Sequence, residues 1–231
     1  MVRSSPATPD KPTADKPAAD KPDRRVAKCE QIIAVASRLF ADLGYADCDM
    51  ERVAAKLKIA KGTLYLYFAN KEALFFACVD HGMQAMQAAV QAASDGETEP
   101  FRRISAAIRA YLEFFEAHPE QVELIIQERA GFKNRKRPTY FNYRDSSRAR
   151  WREVYARLQK EGRIRADIPV DRLLESVGNL VYGTMFTNHF VGRSTPLDDQ
   201  HRALMELIFR GLWTDGEREA AKPPRATRRR S

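Results

Sequence analysis

The chain has 231 residues, of which 44% are apolar and 30% charged, a composition that fits one or two folded domains and excludes collagen-like proteins. No apolar run reaches the roughly 18 to 20 residues of a membrane-spanning helix, and the N-terminus is charged and proline-rich where a secretory signal would be apolar. Cys29, Cys48 and Cys78 are widely spaced and form no CxxC pair. They indicate reduced thiols, a cytoplasmic location, no disulfide framework and no metal site.

The net charge of +8 is concentrated at the two ends of the chain. Residues 222–231 contribute +5 and residues 1–25 contribute +2, so residues 26–221 carry only +1. Bulk charge is therefore weak support for nucleic-acid binding. The basic end is either a tether for polyanions or a solvated terminus.

The N-terminal segment repeats Asp-Lys-Pro at 10–12, 15–17 and 20–22. The segment has too few large apolar side chains for their burial to offset the conformational entropy lost on ordering. Residues 1–23 are therefore predicted to be a disordered or polyproline-like arm, either inert or assisting a search along DNA. The polar residues 215–231 are predicted to be a disordered basic tail.

Four helices are predicted in the next part of the chain. Apolar residues at three- and four-residue intervals predict an amphipathic helix over 26–43, which Gly44 ends. Asp49 is the predicted N-cap of a short second helix. A third short helix over 61–67 and a fourth from 71 to about 93 follow.

Beyond Pro100 the spacing of apolar residues is helical throughout, and no alternating strand pattern occurs. Gly and Pro positions divide this part into predicted helices over 100–117, 119–130, 138–162, 170–192 and 197–214. The fold class is therefore predicted to be all-α, with about nine helices.

The segment from Lys61 to Phe68 combines a buried seam with an exposed face. Leu64 and Phe68 are four apart and share one side of a helix, whereas Lys61 and Tyr65 share another. With two helices and a tight turn before it, the segment has the arrangement of a helix-turn-helix. The Lys61 cation and the N–H groups at the helix N-terminus suit contact with phosphate. Gly62 allows the backbone to approach the duplex closely, and the hydroxyls of Thr63 and Tyr65 suit contact with base edges.

Each of these residues also has a structural explanation. Lys61 and Lys71 fit solvated charges, and Thr63 fits a local cap. Tyr65 and Tyr67 fit half-buried helix aromatics. A longer pattern runs through Ile32-Ile33, Leu39-Phe40, Gly44-Tyr45, Met50, Val53-Ala54, Ile59, Lys61-Gly62-Thr63-Leu64-Tyr65, Tyr67-Phe68 and Lys71-Glu72-Ala73-Leu74-Phe75. In this order, over about residues 25–76, it resembles the N-terminal domain of the TetR family of transcriptional regulators.

The resemblance implies a three-helix DNA-binding head, here residues 24–70, on a larger helical ligand-binding and dimerisation domain, here residues 71–214. It implies a homodimer that binds a palindromic double-stranded operator as a repressor and is released by a small apolar or amphipathic effector, without a cofactor. The alternatives are a ligand-independent DNA-binding or architectural protein, and an activator. The implied DNA contacts are Arg52, Lys61, Gly62, Thr63, Tyr65, Tyr67 and Lys71.

Several positions depart from the family pattern. Cys48 and Asp49 stand where Thr and Ser are usual, which removes a hydroxyl and places an acid near the DNA. Arg52 stands where an acid is common and adds a positive contact. Lys58 replaces the usual turn glycine, at a cost of about 1 kcal/mol if the position is left-handed. Ala60 replaces the usual serine cap, a loss of typically about 1 kcal/mol.

The second domain has weaker signals. Gly178 and Gly183, among large apolar residues, suit close helix packing, so helices 170–192 and 197–214 are predicted to build a four-helix dimer interface, with an intrachain core as the alternative. The predicted ligand pocket, for which core packing is an equal explanation, comprises Phe115, Tyr155, Tyr182, Phe186 and His189.

Two further observations bear on function. Residues 129–152 hold nine cations against Asp145 alone, which fits a solvated face, an attraction for an anionic effector, or a second DNA surface. The chain has no Ser-His-Asp spacing, no glycine-rich phosphate loop and no metal-ligand pattern among its four histidines. An enzyme is therefore not expected.

Overall fold

A computed structural model describes residues 20–193 and 195–211. Most of the predicted arm and all of the predicted tail, 215–231, lie outside the described residues. Within those ranges the chain forms ten helices and no strand, which confirms the all-α prediction. The helices are α1 (Asp20–Asp47), α2 (Met50–Leu57), α3 (Lys61–Tyr65), α4 (Lys71–Asp95), α5 (Pro100–Ala117), α6 (Pro119–Gly131), α7 (Thr139–Ser146), α8 (Arg148–Lys160), α9 (Val170–Val191) and α10 (Leu197–Phe209).

The first three helices and the start of α4 share one core. Ile32 and Phe40 of α1, Val53 of α2, Leu64 of α3 and Phe75 of α4 are fully buried there. Their spacing within each helix places them on one face. We call this part, residues 24–70 with the start of α4, the head.

The remaining helices form a second layer, the body, built on α4. This long helix packs along α5, while α6 lies against both α1 and α4. Helix α9 lies against α5 and α8, and α10 covers part of α5. Because α4 belongs to both parts and α6 contacts both, the head and the body share their packing.

The α6–α7 loop joins the head to the body through aromatic contacts. The Phe132 ring lies 4.8 Å from the Tyr45 ring, 5.5 Å from Phe75 and 4.7 Å from Phe76, measured between centroids. The Gln127 amide of α6 also donates to the Phe40 carbonyl of α1, at 2.8 Å. A displacement of this loop therefore acts directly on α1 and α4.

The helix predicted over 138–162 is two helices, α7 and α8, which meet at Ser147. The hydroxyls of Ser146 and Ser147 donate to the Tyr143 carbonyl, at 2.8 and 3.4 Å. Both hydroxyls also accept from the Gln87 amide of α4. Such side-chain to backbone bonds compete with the helical pattern, and apolar periodicity alone does not reveal them.

Other helix boundaries differ by a few residues. Helix α1 begins at Asp20, inside the third Asp-Lys-Pro repeat, because proline is tolerated in the first helical turn. Gly44 interrupts α1 with φ 84° and ψ 154°, at the predicted stop. Helix α10 ends at Phe209 rather than 214, and Gly211 has φ 71°; residues 212–214 lie outside the described part.

The three cysteines are free thiols. Burial raises the pKa of the Cys78 thiol to about 12, so this group is protonated at neutral pH. Among the described residues, no group of His, Cys, Asp and Glu side chains is arranged to hold a metal ion. No helix in the same ranges has the length and apolar character needed to cross a membrane.

Candidate nucleic-acid interface and ligand cavity

Hydrogen bonds at both ends of α2 fix the turn that leads into α3. The Asp49 carboxylate accepts from the backbone N–H three residues ahead, at 2.8 Å, which confirms its predicted N-cap role. At the other end, Lys58 has φ 54° and ψ 43°. The N–H groups of Lys58 and Ile59 donate to the carbonyls of Ala55 and Ala54, both at 3.1 Å. This is a Schellman motif, which places position 58 in the left-handed region.

Replacing Lys58 with glycine should raise the free energy of unfolding by about 1 kcal/mol. A non-glycine residue in the left-handed region costs about 1 to 2 kcal/mol, and the greater chain entropy of glycine offsets part of the gain. The matched control is Lys56→Gly, in the last turn of α2, which should lower the free energy by about 1 kcal/mol. Urea unfolding measures both; a loss of stability in Lys58→Gly would refute the assigned strain.

Helix α3 is short, and buried side chains on one face anchor it to the head. It covers Lys61–Tyr65, two residues fewer than predicted, and its N-cap Ala60 makes no side-chain hydrogen bond. The chain leaves the helix at Leu66, and the Phe68 N–H donates back to the Leu64 carbonyl at 2.9 Å. Leu64 and Phe68 are both buried. The opposite face of α3 is therefore turned outward.

Four of the predicted DNA contacts lie on this outer face or beside it. Arg52 and Gly62 are exposed, the Tyr65 side chain is 45% exposed, and Thr63 is half-buried. A Cβ atom at Gly62 would meet no other group within 4 Å. The surface thus offers a guanidinium, two hydroxyls and an aromatic ring around a point where backbone is open to approach.

The two predicted lysine contacts already have protein partners. Lys61 Nζ pairs with the Glu51 carboxylate across the turn. Lys71 Nζ donates to the Ala46 carbonyl at 3.1 Å and lies 4.5 Å from the centroid of the Tyr45 ring. Exposed ion pairs are weak, so a phosphate can replace Glu51 on Lys61. The contacts with Ala46 and Tyr45 fix the position of the Lys71 ammonium group.

The structure adds three residues to this surface that the sequence analysis did not single out. Leu66 is 73% exposed just after α3. The Arg25 guanidinium lies 5.9 Å from the ring centroid of Tyr67, which is half-buried, and Glu51 holds Lys61. Leu66 follows Leu64 by two residues, so a helical pattern already places it on a different face from the buried Leu64. The other two contacts join different helices, and local spacing contains no signal for them.

A cavity of about 350 Å³ lies among α4, α5, α7, α8 and α9. The buried part of its wall is apolar and aromatic and includes Met86, Ile104, Ala107, Ile108, Tyr111, Tyr140, Tyr155 and Val181. Its exposed rim is polar and includes Gln91, Ser146, Arg148 and Glu175. An apolar wall with few polar groups is typical of small-molecule sites, which measure about 300 to 1,000 Å³.

Three tyrosine hydroxyls belong to the buried wall. Those of Tyr111 and Tyr140 are 2.9 Å apart, and the Tyr111 hydroxyl also donates to the Met185 sulfur at 3.3 Å. The Tyr155 hydroxyl is buried without a hydrogen-bond partner among the described residues. Burial raises the pKa of Tyr140 to about 12, and it raises the pKa values of Tyr111 and Tyr155 as well. All three hydroxyls are therefore neutral at physiological pH.

Comparison with known proteins identifies the head. The family model described as "Bacterial regulatory proteins, tetR family" matches residues 32–78, which include α2, α3 and most of the buried head residues. Residues 32–78 therefore carry the N-terminal domain of the TetR family. It is 28% identical over 97 residues to FasR, an HTH-type transcriptional activator of Mycolicibacterium smegmatis. That match covers 42% of this chain and 44% of FasR, so it spans less than half of the relative.

Two further proteins resemble this chain over a greater length. KstR2 of Mycobacterium tuberculosis, an HTH-type transcriptional repressor, is 25% identical over 142 residues, which cover 61% of this chain and 71% of KstR2. The structure of the regulator FadR from Bacillus subtilis, in complex with stearoyl-CoA, has a TM-score of 0.68 at 16% identity. It covers 80% of this chain and 99% of FadR. At that identity the likeness shows the fold.

Only one of the five predicted pocket residues lines the cavity. Tyr155 lines it. The other four are outside the lining: Phe115, Tyr182, Phe186 and His189. The Tyr182 ring packs against Tyr140 of the wall, with centroids 4.7 Å apart. His189 Nε2 lies 2.6 Å from the Glu123 carboxylate of α6. Phe115 packs on Tyr111 of the wall and Phe186 packs on Tyr182, so the three aromatic rings lie behind the wall and His189 is engaged with α6.

Most of the basic run over 129–152 is engaged in ion pairs. Six of the nine cations are paired with acids: Arg135, Arg137, Arg144, Arg148, Arg150 and Arg152. Several pairs join α7 and α8 to neighbouring helices; for example, Arg150 binds Asp95 at 2.6 Å and Arg148 binds Asp171 at 3.0 Å. Arg129, Lys133 and Lys136 are exposed. The run is thus largely structural.

An apolar surface is exposed on the last two described helices. On α9, Leu180 is 37% exposed and Phe190 is 64% exposed; on α10, Leu207 is 41% exposed. Gly183 lies on the exposed face of α9, and a Cβ atom there would meet no other group within 4 Å. We call this set the α9–α10 surface.

Proposed function

We propose that this chain is a dimeric, sequence-specific transcriptional regulator of the cytoplasm. It binds a palindromic operator through α3 and releases it when a small apolar or amphipathic molecule occupies the cavity, which makes it a repressor. The observation that carries the proposal is the outward face of α3. Tyr65, Gly62 and Thr63 are presented there over a base of buried Leu64 and Phe68.

The DNA part of the proposal assigns different roles to different groups. Arg52, Lys61 and Lys71 contact phosphate, because a cation close to the backbone adds affinity without reading sequence. Tyr65 and Thr63 contact base edges and the thymine methyl, where hydroxyl and apolar surface carry sequence information. The rigid turn at positions 58–60 holds the two sets in one orientation.

The dimer part is supported by the α9–α10 surface. Two heads must reach successive major grooves about 34 to 36 Å apart, which requires two copies of the chain. Gly183 stands among large apolar residues of α9 and is exposed, so a second α9 can approach closely there. Burial of Phe190, Leu180 and Leu207 against a second copy removes large apolar groups from water.

The ligand part is supported by the cavity. Its buried wall suits an apolar molecular body, and its rim carries cationic side chains. The Arg150 Nε is buried without a hydrogen-bond partner among the described residues, so an acceptor group on a ligand would satisfy it. The ligand changes DNA affinity only if it binds the two arrangements of the heads with different affinity.

An activator is the second candidate, because the similar protein FasR is named an activator and the geometry of α3 serves either role. An architectural protein without sequence preference is the third. Selection of binding sites from random duplexes separates the third candidate from the others, since only a sequence-specific regulator enriches a palindrome. Transcription from a promoter that carries the selected site then separates a repressor from an activator.

Titration of the selected operator with variants of α3 tests the proposal. Lys61→Ala should weaken binding to all sequences and reduce the salt slope by about 1, because one phosphate contact is lost. Tyr65→Ala should weaken binding and also reduce discrimination between the operator and mutated sites, by about 1 to 3 kcal/mol at the affected base pair.

The matched control is Lys160→Ala, an exposed lysine at the end of α8, which should bind like the wild type. Unchanged affinity and unchanged salt slope in both α3 variants would show that α3 is not the DNA-binding element.

A further inference from the structure

The Tyr155 hydroxyl is an unsatisfied polar group in the wall of the cavity. The residue is 4% exposed and lines the cavity, and its hydroxyl oxygen has no hydrogen-bond partner among the described residues. A buried hydroxyl without a partner loses its hydration with nothing to compensate for it. A phenylalanine would fill the same space without this cost, so the hydroxyl calls for an explanation at this site.

The neighbouring hydroxyls differ from that of Tyr155. Tyr111 and Tyr140 satisfy each other across 2.9 Å, and Met185 accepts a further contact from Tyr111. At the rim, Arg148 pairs with Asp171. These groups are already engaged, whereas the Tyr155 hydroxyl has no partner among the described residues.

We infer that the ligand carries a hydroxyl or carbonyl oxygen on the part of its apolar body that enters the cavity, and that Tyr155 selects for this oxygen. The inference rests on the proposed ligand function of the cavity. It names the ligand class as an oxygenated apolar molecule, such as an alkylphenol, a cyclic alcohol or a cyclic ketone. A saturated alkyl chain would leave the Tyr155 hydroxyl unpaired and would be disfavoured.

The size of the cavity further limits the buried part of the ligand. A volume of about 350 Å³ lies near the lower end of the range of small-molecule sites, about 300 to 1,000 Å³. The buried part of the ligand is therefore compact, with one oxygen among its atoms. A ligand with a polar group at its other end can extend past the rim toward Arg150.

A two-by-two comparison tests the selection by Tyr155. Butylbenzene and 4-butylphenol differ by the hydroxyl of the ligand. The wild type and Tyr155→Phe differ by the hydroxyl of the protein. Calorimetric titration of the full chain should show that the preference for 4-butylphenol over butylbenzene is about fivefold larger in the wild type, as expected for a hydrogen bond of about 1 kcal/mol. Affinity for butylbenzene should be unchanged by the substitution.

Two controls separate failure of this inference from failure of the ligand function. A Cβ atom at Gly178 would meet no other group within 4 Å, and Gly178 lines the cavity, so Gly178→Leu should fill it and abolish binding of both compounds. Tyr155→Phe should unfold at the same or a higher urea concentration than the wild type, because the hydroxyl has no protein bond to lose.

Equal preference in wild type and Tyr155→Phe, with binding still blocked by Gly178→Leu, would overturn the selection by Tyr155 and leave the cavity as a ligand site. Failure of both compounds to bind the wild type, or binding that Gly178→Leu does not affect, would overturn the ligand function of the cavity and this inference with it. A marked loss of stability in Tyr155→Phe would show that the hydroxyl has a structural role instead.

Discussion

Gly183→Arg should convert the protein to monomers and weaken binding to a palindromic operator by about 100-fold or more. The long charged side chain would occupy the face of α9 where a second copy is proposed to approach, and its burial without a counter-ion is unfavourable. A single head then loses the avidity of two linked contacts, which amounts to about 10² to 10⁴ in affinity. Light scattering measures the mass, and operator titration measures the affinity.

The fold of the Gly183→Arg variant should be intact, because nothing lies within 4 Å of a Cβ atom at this position in a single chain. Gly131→Arg is the matched control, since Gly131 is also helical, exposed and free of neighbours at its Cβ position. It should remain a dimer. A Gly183→Arg protein that stays dimeric would place the interface elsewhere.

Glu128→Ala should lower the free energy of unfolding by about 3 kcal/mol. The Glu128 side chain is 1% exposed and forms an ion pair with Arg135, whose side chain is 39% exposed. Its carboxylate accepts from the Thr139 N–H at 3.0 Å, from the Thr139 hydroxyl at 2.9 Å and from the Arg135 guanidinium at 2.8 Å. Its loss would leave the buried N–H and hydroxyl of Thr139 without an acceptor, at about 1 to 3 kcal/mol for each, and would also remove the partly exposed pair with Arg135.

Urea unfolding of Glu128→Ala measures this loss. Glu153→Ala, an exposed glutamate on α8, is the matched control and should change the free energy by no more than about 0.5 kcal/mol. If Glu128→Ala lowered the free energy of unfolding by less than about 1 kcal/mol, the Glu128 carboxylate would not be the group that anchors the α6–α7 loop.

The Glu128 carboxylate also anchors the α6–α7 loop, which connects the cavity to the head. Thr139 precedes Tyr140 of the cavity wall, and Arg135 lies 4.2 Å from the ring centroid of Phe76 at the start of α4. The Tyr45 ring, which packs on Phe132 of this loop, also lies under Lys71. A contiguous set of contacts therefore runs from the cavity wall to a proposed phosphate contact, and a ligand in the cavity would act on the head along these contacts.

Much of the candidate DNA interface was predictable from local sequence. The four-residue spacing of Leu64 and Phe68 places both on one helix face, and the structure buries both. Lys58 marked the turn as a strained position, and its backbone is left-handed. What local sequence did not predict is the pairing of Lys61 with Glu51, because that contact depends on how α2 and α3 cross.

The second domain was less predictable, for a related reason. An aromatic residue at helical spacing is buried whether it lines a cavity or packs in a solid core. Tyr155 and Tyr182 are both on apolar helix faces, but only Tyr155 is part of the cavity lining. The Ser146-Ser147 break between α7 and α8 also depends on Gln87 of α4, which is about 60 residues away in the chain.

The amino-acid sequence by itself determined the all-α class, the faces of each helix that are buried and the helix-turn-helix pattern of the head. These properties depend on side-chain spacing of three or four residues and on local capping, which act within one or two helical turns. Only the tertiary structure decided which side chains meet across helices. The segment Lys61–Tyr65 is an exposed surface, and Tyr155 is an unpaired hydroxyl in a cavity, because both properties depend on the packing of residues distant in sequence.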